Sequence, residues 1–218
     1  MQHYTTQEQV VVRSSSSVLR NTYALLALTL AFSGLVAFVS QQMALPYPGI
    51  LITLVGFYGL IFATMRLRNS GWGLVTTFAL NGFMGYTLGP ILNMYLSMSN
   101  GASVISSAFL MTAMVFGGLS AFVLITRKDM SFLRGFITAG FFVLLAAVVA
   151  SLIFDLSGIQ LAISAGFVLF SSAVILYQTS EIINGGETNY ILATINLYVS
   201  IYNLFLSLLQ IFGLSSND

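Results

Sequence analysis

The sequence predicts an all-α integral membrane protein of seven transmembrane helices with a cytoplasmic N-terminus. Three observations carry that expectation. Of 218 residues, 57% are apolar and only 6% charged, against about 25% charged in a soluble domain, so lipid has to be the solvent for most of the surface. Seven apolar stretches come close to the roughly 20 residues that cross a bilayer core as helix. Once seven spans are counted, all 7 basic residues fall on one side of the membrane.

Residues 1–19 are polar, dominated by Gln, Ser and Thr, and read as a flexible cytoplasmic tail ahead of a transmembrane domain over residues 20–218. No small-residue cleavage site closes the first apolar run, so it is expected to be retained rather than removed as a signal peptide. The first span is Asn21 to Ser40, ended by Gln41-Gln42 and Pro46-Tyr47-Pro48. The second is Gly49 to Met65, stopped by Arg66-Leu67-Arg68-Asn69. The third, Trp72 to Leu96, contains Gly89-Pro90. The fourth is Ser103 to Thr126, followed by Arg127-Lys128-Asp129. The fifth is Phe132 to Phe154, with Asp155 to Gly158 as its turn. Ile159 to Tyr177 and Tyr190 to Leu214 are the sixth and seventh. A re-entrant segment would reduce the count to six.

Orientation follows from the bases. Arg13, Arg20, Arg66, Arg68, Arg127, Lys128 and Arg134 lie in the tail, the second-to-third link or around the fourth-to-fifth link, while the opposite turns have none. The positive-inside rule places the N-terminus in the cytoplasm and Ser215 to Asp218 outside.

The last two spans carry the polar pattern. Asn196, Ser200, Asn203, Ser207 and Gln210 are spaced 4, 3, 4, 3 and draw one stripe along a helix, and Ser164, Ser171 and Gln178 repeat the device at intervals of seven. Such a stripe cannot face lipid cheaply. It either lines a hydrated cavity or holds helices together by hydrogen bonds. The run Glu181 to Asn189 between these spans reads as a polar, turn-rich link. Glu181 either caps the inner end of the stripe as part of a cytoplasmic gate or pairs with Arg134 or Arg127. Elsewhere, Gly85-x-x-x-Gly89 fits close helix packing, within the chain or across an oligomer. Pro90 is expected to kink the third span, either as a purely structural feature or shaping a cavity with Asn81 and Asn93.

Other chemistries find little support. Cysteine is absent and the one histidine, His3, is in the tail, so thiolate chemistry and histidine-dependent triads are excluded. No H-E-x-x-H, P-loop or Gly-x-Ser-x-Gly pattern occurs, and no carboxylate pair lies within a span. No enzymatic activity, cofactor or metal site is expected, and a net charge of +1 gives no case for nucleic acid.

Tyr177-Gln178-Thr179, then Asn196-Leu197-Tyr198-Val199-Ser200-Ile201-Tyr202-Asn203, resembles the C-terminal signature of the Bax inhibitor (transmembrane Bax-inhibitor-motif) family. Gly85-Tyr86-Thr87-Leu88-Gly89-Pro90-Ile91 fits the same family, and Thr126 to Phe132 and Gly185 to Tyr190 are similar to its proteobacterial branch. The resemblance implies a seven-helix bundle with the seventh helix at its centre. Many members are described as pH-sensitive calcium leak channels gated by two aspartates that share a proton. Matched to this sequence, those positions are Gln178 and Ser200, and a further acid position is Asn196, with Asn203 on the same stripe. Neutral groups neither titrate nor attract Ca²⁺, so a pH-gated leak is the alternative rather than the leading expectation. The proteobacterial branch implies a bacterial inner-membrane protein that binds the ATP-dependent protease FtsH and restrains its degradation of membrane proteins.

Overall fold

The structure, a computed structural model, describes residues 2–154 and 157–215, with side chains for 15–151, 153–154 and 158–215. Its helices are α1 (Gln2–Gln42), α2 (Ile50–Leu67), α3 (Gly71–Leu96), α4 (Gly101–Thr126), α5 (Leu133–Ile153), α6 (Gln160–Asn184) and α7 (Tyr190–Ser215), with a 3₁₀ turn at Ser157–Ile159. No strand occurs among the described residues. The tail expected over residues 1–19 falls on the first part of α1, whose backbone is helical from Gln2. Asp155 and Leu156 of the expected outer turn, and Ser216 to Asp218, lie outside the described residues, as do the side chains of His3 and Arg13.

Among the described residues, six helices are long and apolar enough to cross a membrane; α3 is the exception. Composition explains this. With 26 residues and no charge, α3 is about 39 Å long, but Gly, Thr, Asn and Tyr occupy places that Leu and Val hold in the other helices. Its buried residues include Gly73, Thr77, Asn81, Gly85, Thr87 and Gly89. A helix enclosed by its neighbours needs little apolar flank, so its hydropathy falls below that of the lipid-facing helices. By contrast, α2 and α5 present Leu51, Phe62 and Phe142 outward, and very little of either is buried.

The chain divides into two compact units, the first comprising Met1–Ser99 with Glu187–Tyr198 and the second Asn100–Gly186 with Val199–Asp218. In the first, α1 and α2 both pack on α3. Along α1, Val18, Thr22, Leu26, Thr29, Ser33, Ala37 and Ser40 are all buried, at spacings of 4, 4, 3, 4, 4, 3. Opposite them stand two glycines of α3. A Cβ on Gly85 would collide with the carbonyl oxygen of Ser33, and one on Gly89 with the Ser40 hydroxyl. Only glycine permits that approach. The Gly85-x-x-x-Gly89 pattern is thus an internal α1–α3 contact.

Helix α3 continues through Pro90, and a specific bond accommodates it. Proline has no N–H, so the carbonyl of Tyr86 one turn earlier lacks its helical donor; Ser40 Oγ donates to that oxygen at 2.9 Å. Beyond the proline, Gln41 Nε2 donates to Asn93 Oδ1 at 3.0 Å, and Asn93 Nδ2 donates to the Gln41 carbonyl at 2.9 Å. Between Pro90 as a purely structural feature and Pro90 as a cavity former with Asn93, these bonds favour the structural role.

In the second unit α4 and α5 pack on α6. Gly117, Gly118 and Gly135 face open space, so the close approach their small size allows is not used there. Helix α6 extends to Asn184, past the expected end at Tyr177. The acid and amide at Glu181 and Asn184 read as a turn, but Ile182 is wholly buried and holds this stretch in the helix. The helix stops where Gly185 turns left-handed, φ 79°, and the Gly186 N–H reaches the Glu181 carbonyl at 2.8 Å. The link to α7 is therefore residues 185–189 rather than Glu181 to Asn189.

Candidate functional site

Within the second unit one hydrogen bond joins the polar faces of α6 and α7 and suggests their register. Ser164 Oγ donates to Gln210 Oε1 at 2.7 Å. Counting seven residues along each antiparallel helix brings Ser171 level with Asn203. On the same register Gln178 and Ser200 are about one turn, or about 6 Å, from level. Both are buried, as are Ser171 and Ser207. Ser207 donates to the Asn203 carbonyl at 2.7 Å. The Ser171 hydroxyl and that of Ser120 on α4 are buried with no hydrogen-bond partner among the described residues.

The predicted cluster is not uniform. Gln178 and Ser200 are enclosed, Asn203 is half-buried and Asn196 is exposed. A strict 4, 3, 4, 3 stripe predicts one environment for all of its members; here exposure varies along it. Its chemistry is that of amides and hydroxyls, which donate and accept hydrogen bonds but carry no charge. Among the described residues no group of three or more His, Cys, Asp or Glu stands ready to hold a metal ion.

The two charged candidates sit at the other end of α6. The Glu181 carboxylate folds over Gly186, where an added Cβ would lie 2.6 Å from Oε2. Arg134 is exposed in the first turn of α5.

Sequence reading missed two anchors beside these residues. Ser180, wholly buried, accepts from the Met130 N–H at 2.9 Å and from Asn184 Nδ2 at 3.1 Å, and donates to the Lys128 carbonyl at 3.3 Å. Its one donor and two acceptor positions are all used, fastening the α4–α5 loop to α6. In the first unit Asn189 does the equivalent. Its Oδ1 accepts from the Ile191 and Leu192 N–H groups, capping α7, while its Nδ2 reaches Asn69 Oδ1 and the Arg68 carbonyl on the α2–α3 link. Glu187 Oε1 accepts the Asn189 N–H at 2.7 Å, an acid placed at the positive end of the helix. Asn before an apolar periodic run is a legible cap. Nothing in the sequence distinguishes Ser180 from its neighbours.

Also missed was the core of the first unit. Tyr198 of α7 is almost fully buried, and its hydroxyl hydrogen-bonds to Ser33 Oγ at 2.5 Å, with the Asn81 carbonyl at 3.5 Å. The signal was available, in the buried hydroxyls of α1 at seven-residue intervals.

Long apolar helices, with neutral polar groups buried in each unit, define a multi-pass membrane protein. The family model described as Inhibitor of apoptosis-promoting Bax1 matches residues 15–217, and the chain belongs to this Bax inhibitor family. It is 55% identical over 205 residues, 94% of this chain and 93% of the relative, to a protein of Escherichia coli strain K12 named modulator of FtsH protease YccA. A relative from a second E. coli strain, at the same identity and coverage, is named inner membrane protein YccA. A Pseudomonas aeruginosa protein named only as uncharacterized is 77% identical over 206 residues, again 94% of this chain and 93% of the relative.

Proposed function

We propose that this protein is a bacterial inner-membrane regulator that binds FtsH and restrains its degradation of membrane proteins. The observation that carries this reading is the 55% identity, over 94% of the chain, to a protein named modulator of FtsH protease. In this reading all seven helices span, α3 included, the N-terminus and the basic links are cytoplasmic, and the C-terminus is periplasmic. α7 takes the central place; 56% of its apolar window is buried, against 6–33% for the other five candidate spans. Residues 1–19 are the cytoplasmic segment that the protease engages. Gln178, Ser200, Asn196 and Asn203 serve as neutral hydrogen-bonding groups that hold helices together, with Glu181 at the cytoplasmic end of α6 as a gate; the alternative of an ion pair with Arg134 is not formed among the described residues. The lipid bilayer is the other partner.

The test is co-purification from native membranes followed by a degradation assay on a membrane substrate of FtsH. The full chain is expected to retain FtsH and slow proteolysis, and deletion of residues 2–19 to abolish the slowing while leaving the helices folded. Undiminished restraint by the truncated chain would remove the tail from the mechanism. Failure of the intact chain to retain FtsH would remove the function. The alternative, a pH-sensitive calcium or cation leak, is disfavoured by the neutral side chains of Gln178 and Ser200, which offer neither a titrating pair nor an anionic ligand set.

A further inference from the structure

The α4–α5 loop of the second unit and the first turn of α5 carry Arg127, Lys128 and Arg134 within eight residues, all exposed. None of the three has an ion pair among the described residues, and over 127–134 the three cations outnumber the one acid, Asp129. Asp129 Oδ1 accepts the Ser131 N–H at 2.8 Å. The Glu181 carboxylate lies over Gly186. The loop is also held in place. Arg127 is fixed in a left-handed conformation, φ 52°, its N–H bonded to the Val123 carbonyl at 2.8 Å. The Lys128 carbonyl and the Met130 N–H are both fastened to buried Ser180, and the Met130 side chain is buried beneath them. Unpaired cations on an anchored backbone lose less freedom on binding an anion than cations on a mobile loop.

Position selects the kind of anion. The loop joins the ends of two helices apolar enough to cross a membrane, Gly101–Thr126 and Leu133–Ser151, so its cations stand at headgroup depth. Phe132, the N-cap residue of α5, and Phe136 in its first turn are 73% and 54% exposed and offer an apolar surface beside the charges. A soluble acidic partner would be met by charge alone. A phospholipid supplies both a phosphodiester and an acyl chain.

We propose that the α4–α5 loop is a binding site for acidic phospholipid, with Arg127, Lys128 and Arg134 holding the anionic headgroup and Phe132 and Phe136 contacting the chain below it. The site is separate from the polar faces of α6 and α7 and does not depend on FtsH. The test uses the purified full chain, delipidated in a neutral detergent and titrated with phosphatidylglycerol or phosphatidylcholine, with bound lipid read by native mass spectrometry. The wild type is expected to prefer phosphatidylglycerol about tenfold, a preference that shrinks as salt is raised. The variant R127Q/K128Q/R134Q is expected to lose it and R66Q/R68Q, with its two charges removed elsewhere, to keep it. Ser180→Ala retains every charge but frees the loop and is expected to lower the preference by a few-fold, which general attraction to a basic surface would not do. Equal binding of the two lipids, an unchanged preference in the triple variant, or an equal loss in R66Q/R68Q would each overturn the proposal. So would displacement by an acidic peptide of a preference that added phosphatidylglycerol does not saturate, since that outcome assigns the face to a protein.

Discussion

The two compact units solve helix packing by different means. In the first, three glycines let backbones touch: Gly73, Gly85 and Gly89 stand where a Cβ would meet backbone or a serine side chain of a neighbouring segment, while Gly56 and Gly82 meet only the Phe83 and Phe32 rings. In the second, Gly166 and Gly140 meet only the side chains of Leu144 and Phe170, and Gly117, Gly118 and Gly135 meet nothing. The second unit also has a groove of about 560 Å³ between the start of α4 and the end of α7, lined by Ser103, Ser107, Met111, Met114, Phe212 and Ser215. In a membrane the hydrophobic effect does not drive helices together, so packing and hydrogen bonds decide how tightly they sit. Backbone contact tolerates no added atom. Side-chain contact can shift rotamers and adapt, as methionine does most readily.

That difference can be broken most directly at the glycines. Gly85→Leu is expected to destabilise by about 3 kcal/mol or more, because the added atoms meet the Ser33 backbone, which cannot move aside without separating α1 from α3. Gly118→Leu, in open space, is expected to leave thermal unfolding within about 0.5 kcal/mol of wild type. Thermal denaturation in one detergent measures both. If the two substitutions cost the same, the contrast between the units fails.

A finer test uses the proline. Ser40→Ala is expected to cost about 1 kcal/mol, since it leaves the Tyr86 carbonyl without a donor. In a Pro90→Ala background the restored N–H supplies that donor, and the same Ser40 substitution is expected to lose most of its cost. A double-mutant cycle reads the coupling directly. Additive effects would mean that the Ser40 hydroxyl does not compensate for Pro90.

The anchors on the loops compare the units at their polar ends. Asn189→Ala is expected to cost about 1 kcal/mol as a lost N-cap, with faster hydrogen exchange at Ile191 and Leu192. Ser180→Ala is expected to act on the α4–α5 loop, visible as increased exchange at the Met130 amide with little change in α7. Exchange that rose in both places for either variant would show one cooperative device rather than two.

The neutral pair gives a test of function rather than of stability. Gln178→Asp with Ser200→Asp is expected to introduce a pH-dependent Ca²⁺ flux into reconstituted liposomes. The wild type is expected to show little. Strong pH-gated flux in the wild type would return the leak to first place.

Composition by itself determined that this is a membrane protein, because a chain with 6% charge cannot cover a water-facing surface. Apolar length located all seven helices, and the family was legible in the runs around Gln178, Asn196 and Gly85. Helix ends were less legible. Glu181 to Asn184 looks like a turn by residue type, and only the burial of Ile182 and the left-handed Gly185 carry α6 onward. Environment along a stripe was also beyond the sequence. Asn196 and Ser200 share one helical face by periodicity, but exposure depends on what stands opposite each, and one is exposed while the other is enclosed. The same holds for glycine. The Gly85-x-x-x-Gly89 spacing marks Gly85 as a packing candidate where Gly118 has no such partner, but what it packs against, the Ser33 backbone, is set only by the fold. Local pattern sets which helices can form; the neighbour across the interface, distant in the chain, sets what each residue does.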